Sequence, residues 1–493
     1  MKIKNTIFLI ELALFFLIAL GIIPRLFSFV FLGIFIVFIF LRSLEESTCL
    51  FLMLIPFFMA LPISESFDSL NIWRVVSIMI FVKWLFENHK RIISCFGFKK
   101  LIKNKNFLIF GGMFLLVVLS LIPAQDKLAA IKRIIYLINL SLIGFVVYDL
   151  VKKNHDFIKQ ALKSIIVPAI ILVVIGFVQL IMTYFSNVNS FLVFWAKTVQ
   201  KNLFGQDWSD IVFQSNTWLA FYKHQLSLRM FSSLTSSHTF PLFVLLSIPA
   251  MFSVLRKKHF LLAIFFSFLA AVLSGTRGIW LAFLAPVVLC FWLLIKKNKQ
   301  AFKKSIPVLS IFLIAFVLAY PIFGSNQFQF SSGGTGLFEE RIKSVISISE
   351  VSNKTRLLIW GKTLISIYQS PILGVGIGNF PTILGQETVY AKAGSSAHNL
   401  YLHIAGEIGI VCLSLFLYFV YELFKKAYGI YKFSDKEYLQ KYGLFIFLFL
   451  SWFFVYLLTD STFFDERIFL LFSANVALIF GVSKSLEFYK QNE

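Results

Sequence analysis

The chain has 493 residues, of which 58% are apolar, 18% aromatic and only 14% charged. A soluble domain carries roughly 25% charged residues, so a water-soluble globular fold is excluded. The net charge of +22 is spread over many short segments between apolar runs, which makes a nucleic-acid surface a poor reading.

Apolar runs that approach the roughly 20 residues needed to cross a bilayer recur along the chain. They predict an all-α, polytopic integral membrane protein with about fourteen transmembrane helices. In chain order the spans fall near 7–23, 26–41, 48–62, 72–86, 107–123, 128–151, 164–185, 231–255, 260–274, 278–295, 306–323, 404–424, 443–458 and 468–483. The first run has no small-residue cleavage site and reads as a retained helix. The segments "KKNH" (152–155), "RKKH" (256–259) and "KKNKQAFKK" (296–304) all fall on one side, and by the positive-inside rule that side is the cytoplasm. Both termini are then expected inside. Cys49, Cys95, Cys290 and Cys412 form no CxxC motif and read as small apolar fillers.

Two outer segments are long, about 186–230 and 324–403. Long loops in compact proteins are usually functional or disordered. The second opens with "GSNQFQFSSGGTG", which reads as flexible. "EERIKSVISI" and "NKTRLLIWGKTLISIYQ" then show helical periodicity, with Asn353 as a cap for the latter. A large, partly helical external loop is expected. The chain divides into an N-terminal transmembrane region (1–225), a core that includes the external loop (226–425) and C-terminal helices (426–493).

The polar residues of interest lie on the outer side. Arg277 in "LSGTRGIW" occupies a short turn between two apolar spans. It is either a snorkelling anchor or a contact for a lipid phosphate, because a guanidinium grips two phosphate oxygens at once. Arg356 is either a solvated helix charge or a second anion contact, and Arg229 is a third. Arg74, Lys132 and Arg133 fall inside spans and are secondary candidates. "GVGIGNF" (374–380) lacks the preceding strand and the lysine of a nucleotide-binding loop and reads as a tight turn, with close approach to a diphosphate as the alternative. His403 and Glu407, four apart, share a helix face, and His398 lies off it. Zinc spacing is missing from this trio, so no metal is expected. His398 is the candidate proton acceptor at the membrane interface, where a near-neutral pKa suits general-base work.

The stretch "NKTRLLIWGKTLISIYQSPILGVGIGNF" followed by "SSAHNLYLHIAGEIGIVCLSLF" resembles the O-antigen ligase and polymerase superfamily. The resemblance rests on Arg356 with Trp360, on Pro371, Gly374, Gly376 and Phe380, on His398, Asn399 and Leu402, and on Glu407 with Gly409. "LSGTRGIWLAF" is similar to the family's Ser-x-Ser/Thr-Arg-Gly segment. "LRMFSSLTSSHTFPLF" is similar to its arginine-proline-asparagine segment, but His238 and Thr239 stand where the family has proline and asparagine. The likeness covers roughly 225–425.

The resemblance implies a fold like that of the GT-C membrane glycosyltransferases. It also implies a glycan transfer on the outer face of the bacterial cytoplasmic (inner) membrane, without cofactor or metal. The donor is a glycan on undecaprenyl diphosphate. The acceptor glycolipid is lipid A–core (ligase) or another lipid-linked glycan (polymerase). By analogy Arg277, Arg356 and Arg229 hold the diphosphate. His398 activates the acceptor, with Glu407 as alternative base or as its hydrogen-bond partner. Membrane lipids, a flippase and a chain-length regulator are further expected partners. The competing reading is a lipid-linked oligosaccharide flippase or other transporter, but the sequence shows no repeated halves.

Overall fold

The computed structural model describes residues 2–63, 70–95, 105–215, 217–222, 225–329, 351–385 and 396–491. The described residues are almost wholly helical, as they must be where no water satisfies backbone groups. The order is α1 (Lys2–Ala19), α2 (Ser28–Leu41), α3 (Leu44–Leu54), α4 (Ile72–Cys95), α5 (Lys105–Leu119), α6 (Lys127–Lys153) and α7 (His155–Met182). A cap follows, formed by α8 (Val188–Leu192), a π-helical stretch (Val193–Gln200), α9 (Lys201–Phe204), α10 (Gln206–Ser215) and the hairpin β1 (Leu219–Tyr222)–β2 (Gln225–Leu228). Next come α11 (Thr239–Val254), α12 (Lys257–Leu273), α13 (Arg277–Ala282), α14 (Leu284–Ile295), α15 (Lys299–Phe323), α16 (Val351–Gln369), α17 (Phe380–Leu384), α18 (Leu400–Ile408), α19 (Ile410–Phe433), α20 (Glu437–Tyr456) and α21 (Glu466–Gln491).

The fourteen expected spans all overlap helix, but 278–295 is divided between α13 and α14 and 404–424 between α18 and α19, and the number of crossings expected is not reproduced by length and apolarity. Among the described residues, six segments are long and apolar enough to cross a membrane: Lys127–Lys153, His155–Met182, Arg277–Ile295, Lys299–Phe323, Glu437–Tyr456 and Glu466–Leu486. Arg25–Leu41, Leu108–Leu119, Thr239–Val254 and His259–Leu273 are apolar but shorter. Local breaks explain part of the shortfall. Pro56 turns the end of α3 into a 3-10 helix, and Gly409, at φ +95°, separates α18 from α19.

Helix boundaries follow side-chain caps. Asp126 accepts from Ala129 N (2.9 Å), Asn154 from Asp156 N (2.9 Å) and Asn399 from Tyr401 N (3.0 Å). Asn353 is not such a cap, because α16 already runs from Val351. "EERIKSVISI" lies outside the described residues. The start of the expected flexible stretch is in fact anchored. Leu228 N donates to Gln327 Oε1 (2.8 Å), and Phe328 N donates to the Thr183 carbonyl (2.5 Å).

α6 packs along α21, while α11 lies against α7 and α20 and α19 also against α20. Aromatic rings fill the centre. Phe312 meets Phe283 at 4.1 Å and Trp452 at 4.8 Å, and the Trp452 indole donates to the Ile279 carbonyl (2.8 Å). That bond ties α13 to the C-terminal half of α20, which matters for the site. Cys49, Cys290 and Cys412 are buried and free.

The two ends of the bundle differ in charge. One end gathers the basic loops: Ser253 bonds the Tyr438 carbonyl (2.7 Å), Tyr431 reaches Asn298 (3.2 Å) and Asn154 reaches Glu45 (2.9 Å). These contacts bring 152–155, 256–259, 296–304 and 432–441 onto the same face. The first turns of α1, which begins with Lys2 and Lys4, reach this end too, since the Lys4 charge acts on Cys49 of α3. The opposite end carries the cap, the turn at 274–277 and segments 371–385, 396–400 and 457–465. We expect a cysteine introduced at exposed Asp207 to react with an impermeant thiol reagent in intact cells, and one at exposed Lys299 to react only after permeabilisation, in a chain whose own cysteines are serines. Labelling of position 299 alone would reverse the orientation.

Candidate functional site

Four segments meet at the end opposite the basic loops. They are the approach to α11, the α12–α13 turn, the α20–α21 connection and the residues before α18. Arg229 Nη2 lies 3.0 Å from His238 Nε2 and donates to Thr276 Oγ1 at 3.4 Å. His238 Nδ1 lies 2.7 Å from Asp460 Oδ2 and 3.0 Å from the Tyr456 hydroxyl. Thr276 in turn donates to the Ser237 carbonyl (2.9 Å). Asp460 is buried and also accepts from Thr462, through its backbone N–H at 2.8 Å and through its hydroxyl. Burial opposes ionisation of Asp460, but His238 and the Thr462 bonds outweigh it and hold the carboxyl below its usual range.

The expected residues border this cluster. Arg277 is half-buried at the first turn of α13, next to Thr276. A Cβ on the adjacent Gly278 would stand 2.5 Å from Thr459 Oγ1 and 3.0 Å from the Tyr456 ring, so the start of α13 is pressed against the end of α20. Arg356, half-buried on α16, is close enough for its charge to act on both His238 and His398. One turn further along, Trp360 donates to the Ala397 carbonyl (2.9 Å) and clamps the segment that carries His398. That segment is also held by Leu400 N to the Leu457 carbonyl (2.9 Å) and by the Ser396–Ser461 hydroxyl pair (2.6 Å).

His398 itself is accessible and adopts φ +47°, a left-handed conformation uncommon for a non-glycine residue. Partial desolvation by surrounding protein pulls its pKa below the ordinary imidazole value. The Asp460 carboxylate opposes this, and Arg356 and the neighbouring histidines add to it. The downward shift favours the neutral ring, the form able to take a proton.

The three groups at the mouth of α18 separate into two sets. His403 and Glu407 are buried and face each other, with Nε2 and Oε2 3.5 Å apart. Glu407 Oε1 accepts from Phe380 N (3.1 Å), and the Phe380 ring stacks on His403 at 4.8 Å. The hydrogen-bond partner of Glu407 is thus His403 rather than His398, because a four-residue step returns to the same helix face. Among the described residues no group of three or more His, Cys, Asp and Glu is arranged to hold a metal ion.

"GVGIGNF" is a packed turn. Gly374, Gly376 and Gly378 have φ of +61°, +99° and +73°. Val375 N and Gly376 N donate to the carbonyls of Gly406 and Glu407, both at 2.9 Å. The close backbone approach is to protein rather than to an open phosphate cradle. Among the secondary candidates, Arg74 and Arg133 lie over the Tyr136 ring, at 5.7 and 5.3 Å, and Arg133 also over Phe464 at 4.6 Å. Lys132 is exposed.

Sequence reasoning missed His238, Thr276, Tyr456 and Asp460 as site residues. His238, which stands where the family has proline, directly contacts Arg229. Asp460, a lone acid between two apolar runs, was the signal that could have been followed. The turn also yields a stability test. A Cβ at Gly376 would lie 2.6 Å from Ala124 Cα, at a φ that disfavours side chains. Gly376→Ala should therefore lose about 2 kcal/mol or more and unfold at lower temperature in detergent than the parent chain. An unchanged unfolding temperature would show that the turn is not under this constraint.

A comparison of the whole chain with curated proteins gave no match. Residues 262–417 match the family described as O-antigen ligase, a segment that holds Arg277, Arg356, His398 and Glu407 and stops short of Arg229, His238 and Asp460. This match supports the O-antigen ligase and polymerase superfamily as what the chain resembles over 262–417.

Proposed function

We propose that the protein is a membrane glycosyltransferase that moves a glycan from undecaprenyl diphosphate to an acceptor sugar on the outer face of the cytoplasmic membrane. What supports this reading is the end of the bundle remote from the basic loops, where Arg229 meets His238 and Thr276, Arg277 follows Thr276, and the charge of Arg356 reaches an accessible His398. An apolar stripe on α16 supports a site at lipid depth: Leu357, Leu358, Leu364, Ile365 and Tyr368 are exposed on the helix that bears Arg356. A transporter would place its polar groups near the bilayer midplane, between repeated halves. Here they concentrate at one end.

In the proposed reaction the acceptor oxygen attacks the anomeric carbon and forms the new glycosidic bond. The bond from that carbon to the diphosphate oxygen breaks, and the lipid diphosphate leaves with the electron pair. The hydroxyl proton passes to His398. Negative charge grows on the leaving group, and the guanidinium groups of Arg277, Arg356 and Arg229, already oriented before reaction, stabilise it. Neither metal nor cofactor takes part. Glu407, closed off beneath His403 and Phe380, acts as a positioning residue that fixes α18 and so the depth of His398. Lipid A–core as acceptor makes the enzyme a ligase, and a second lipid-linked glycan makes it a polymerase.

Arg277→Lys keeps the charge but loses the planar fork. Glycan transfer should fall about 10–100-fold at equal expression. Near-normal product would reduce Arg277 to a membrane anchor. His398→Ala should lower turnover by about 10²–10⁴-fold while polyprenyl-diphosphate binding persists. Because the His398 pKa is depressed, parent turnover should hold through pH 7 and decline only below the ordinary imidazole range near 6.5. Unchanged turnover in His398→Ala, measured with purified enzyme in detergent, would remove His398 from the mechanism.

A further inference from the structure

His238 has contacts at both ring nitrogens, and the chemistry of those contacts fixes its state. A guanidinium only donates, and it stays charged at every accessible pH. His238 Nε2, 3.0 Å from Arg229 Nη2, must therefore be the acceptor. The ring proton then sits on Nδ1, where the Asp460 carboxylate takes it at 2.7 Å. This is the neutral imidazole in a single tautomer, oriented by the group on its second nitrogen. Thr276 holds the same Nη2 from another element, at 3.4 Å, and is itself tied to the Ser237 carbonyl. Two points of attachment from separate segments set the plane of the Arg229 guanidinium.

We infer that His238, held by Asp460, is a positioning residue that aims Arg229 at the donor diphosphate and makes donor binding depend on His238 remaining neutral. This rests on the proposed donor and adds a role for residues outside the matched domain. Protonation would turn Nε2 into a donor facing a donor, and would set a positive ring against a guanidinium. Arg229 would lose its orientation.

The charged and titratable groups that face His238 come from four directions. They are Asp460 and Tyr456 at the end of α20, Arg229 after β2, Arg356 on α16 and His398 before α18. Burial pulls the His238 pKa below its ordinary value near 6.5. Asp460 opposes this, and Arg229 and Arg356 add to it. The neutral state therefore prevails at pH 7. The arrangement also divides the work of the two histidines. With Nε2 engaged by Arg229, His238 is not free to take the acceptor proton, which leaves that task to His398.

The experiment uses the purified full chain in detergent, with undecaprenyl diphosphate lacking a glycan as the probe. Binding is measured against pH, and turnover separately at saturating donor. Parent binding should weaken as pH falls below the ordinary imidazole value. His238→Gln keeps an uncharged acceptor near the Nε2 position, so it should bind within about threefold of the parent at pH 7 and show no such pH step. His238→Ala should bind about tenfold or more weakly, and turnover at saturating donor should fall with it, because Arg229 also steadies the leaving diphosphate. Asp460→Asn should also weaken binding, although it is placed to touch only His238 and its neighbours.

Parent-like binding in His238→Ala, or a pH step that survives in His238→Gln, would overturn the inference. So would loss of turnover with intact binding in His238→Ala, which would make His238 the base. The pH step is read in the unmutated chain and does not depend on any variant folding. The donor reading fails separately: it falls if Arg277→Ala and Arg356→Ala bind undecaprenyl diphosphate like the parent.

Discussion

A bilayer interior offers no water to a polar group, and this constraint organises the whole molecule. Several polar side chains inside the bundle find partners in one another. Tyr442 donates to Asn475 at 2.9 Å, and Ser77 meets Asn139 at 2.5 Å. The remaining charge is driven to the two ends. One end takes the lysine-rich loops. The other takes fewer cations, and some of these, such as Arg229 and Arg133, are held among hydroxyls and rings. A chemical centre for a lipid-borne substrate has to form at such an end, where apolar tail and charged head divide.

The site depends on the packing of the bundle beneath it. Trp452 joins α20 to α13 through the Ile279 carbonyl, and Gly278 lets α13 press on Tyr456. These contacts hold the α12–α13 turn where Thr276 meets Arg229 and the Ser237 carbonyl, beside the His238–Asp460 pair from distant parts of the sequence. The glycine turn performs the same service on the other flank. Its backbone is locked to α18 through Gly406 and Glu407, and α16 clamps Ala397 through Trp360. A disturbance in any of these supports would reach the arginines without touching them.

His238 illustrates how a departure from a family pattern can be compensated. Where the family has a proline, this chain has a titratable ring placed between an arginine and a buried acid. The exchange is chemically coherent only with Asp460 and Thr276 in place, and Asp460 lies in a part of the chain that the matched domain does not include. A substitution judged against the motif alone looks like decay. Judged with its neighbours, it is a defined hydrogen-bonded chain.

The sequence by itself determined the membrane class, the positions of the apolar helices and the asymmetry of charge, because these follow from local hydropathy and from counting lysines along the chain. It also marked Arg229, Arg277, Arg356 and His398, through short motifs in which the meaningful residues are close neighbours. The four-residue step put Glu407 and His403 on one helix face, yet the sequence assigned Glu407 to His398, and the pairing with His403 came from the structure. The helical cap over 188–215, the anchoring of Gln327 and Phe328, and the chain from Asp460 through His238 to Arg229 were decided only by tertiary structure. Residues 229 and 460 come together only when α11, α13 and α20 pack, and no periodicity or spacing encodes that contact. Packing alone also turned Glu407 inward, because burial depends on what covers a helix face and not on the face itself.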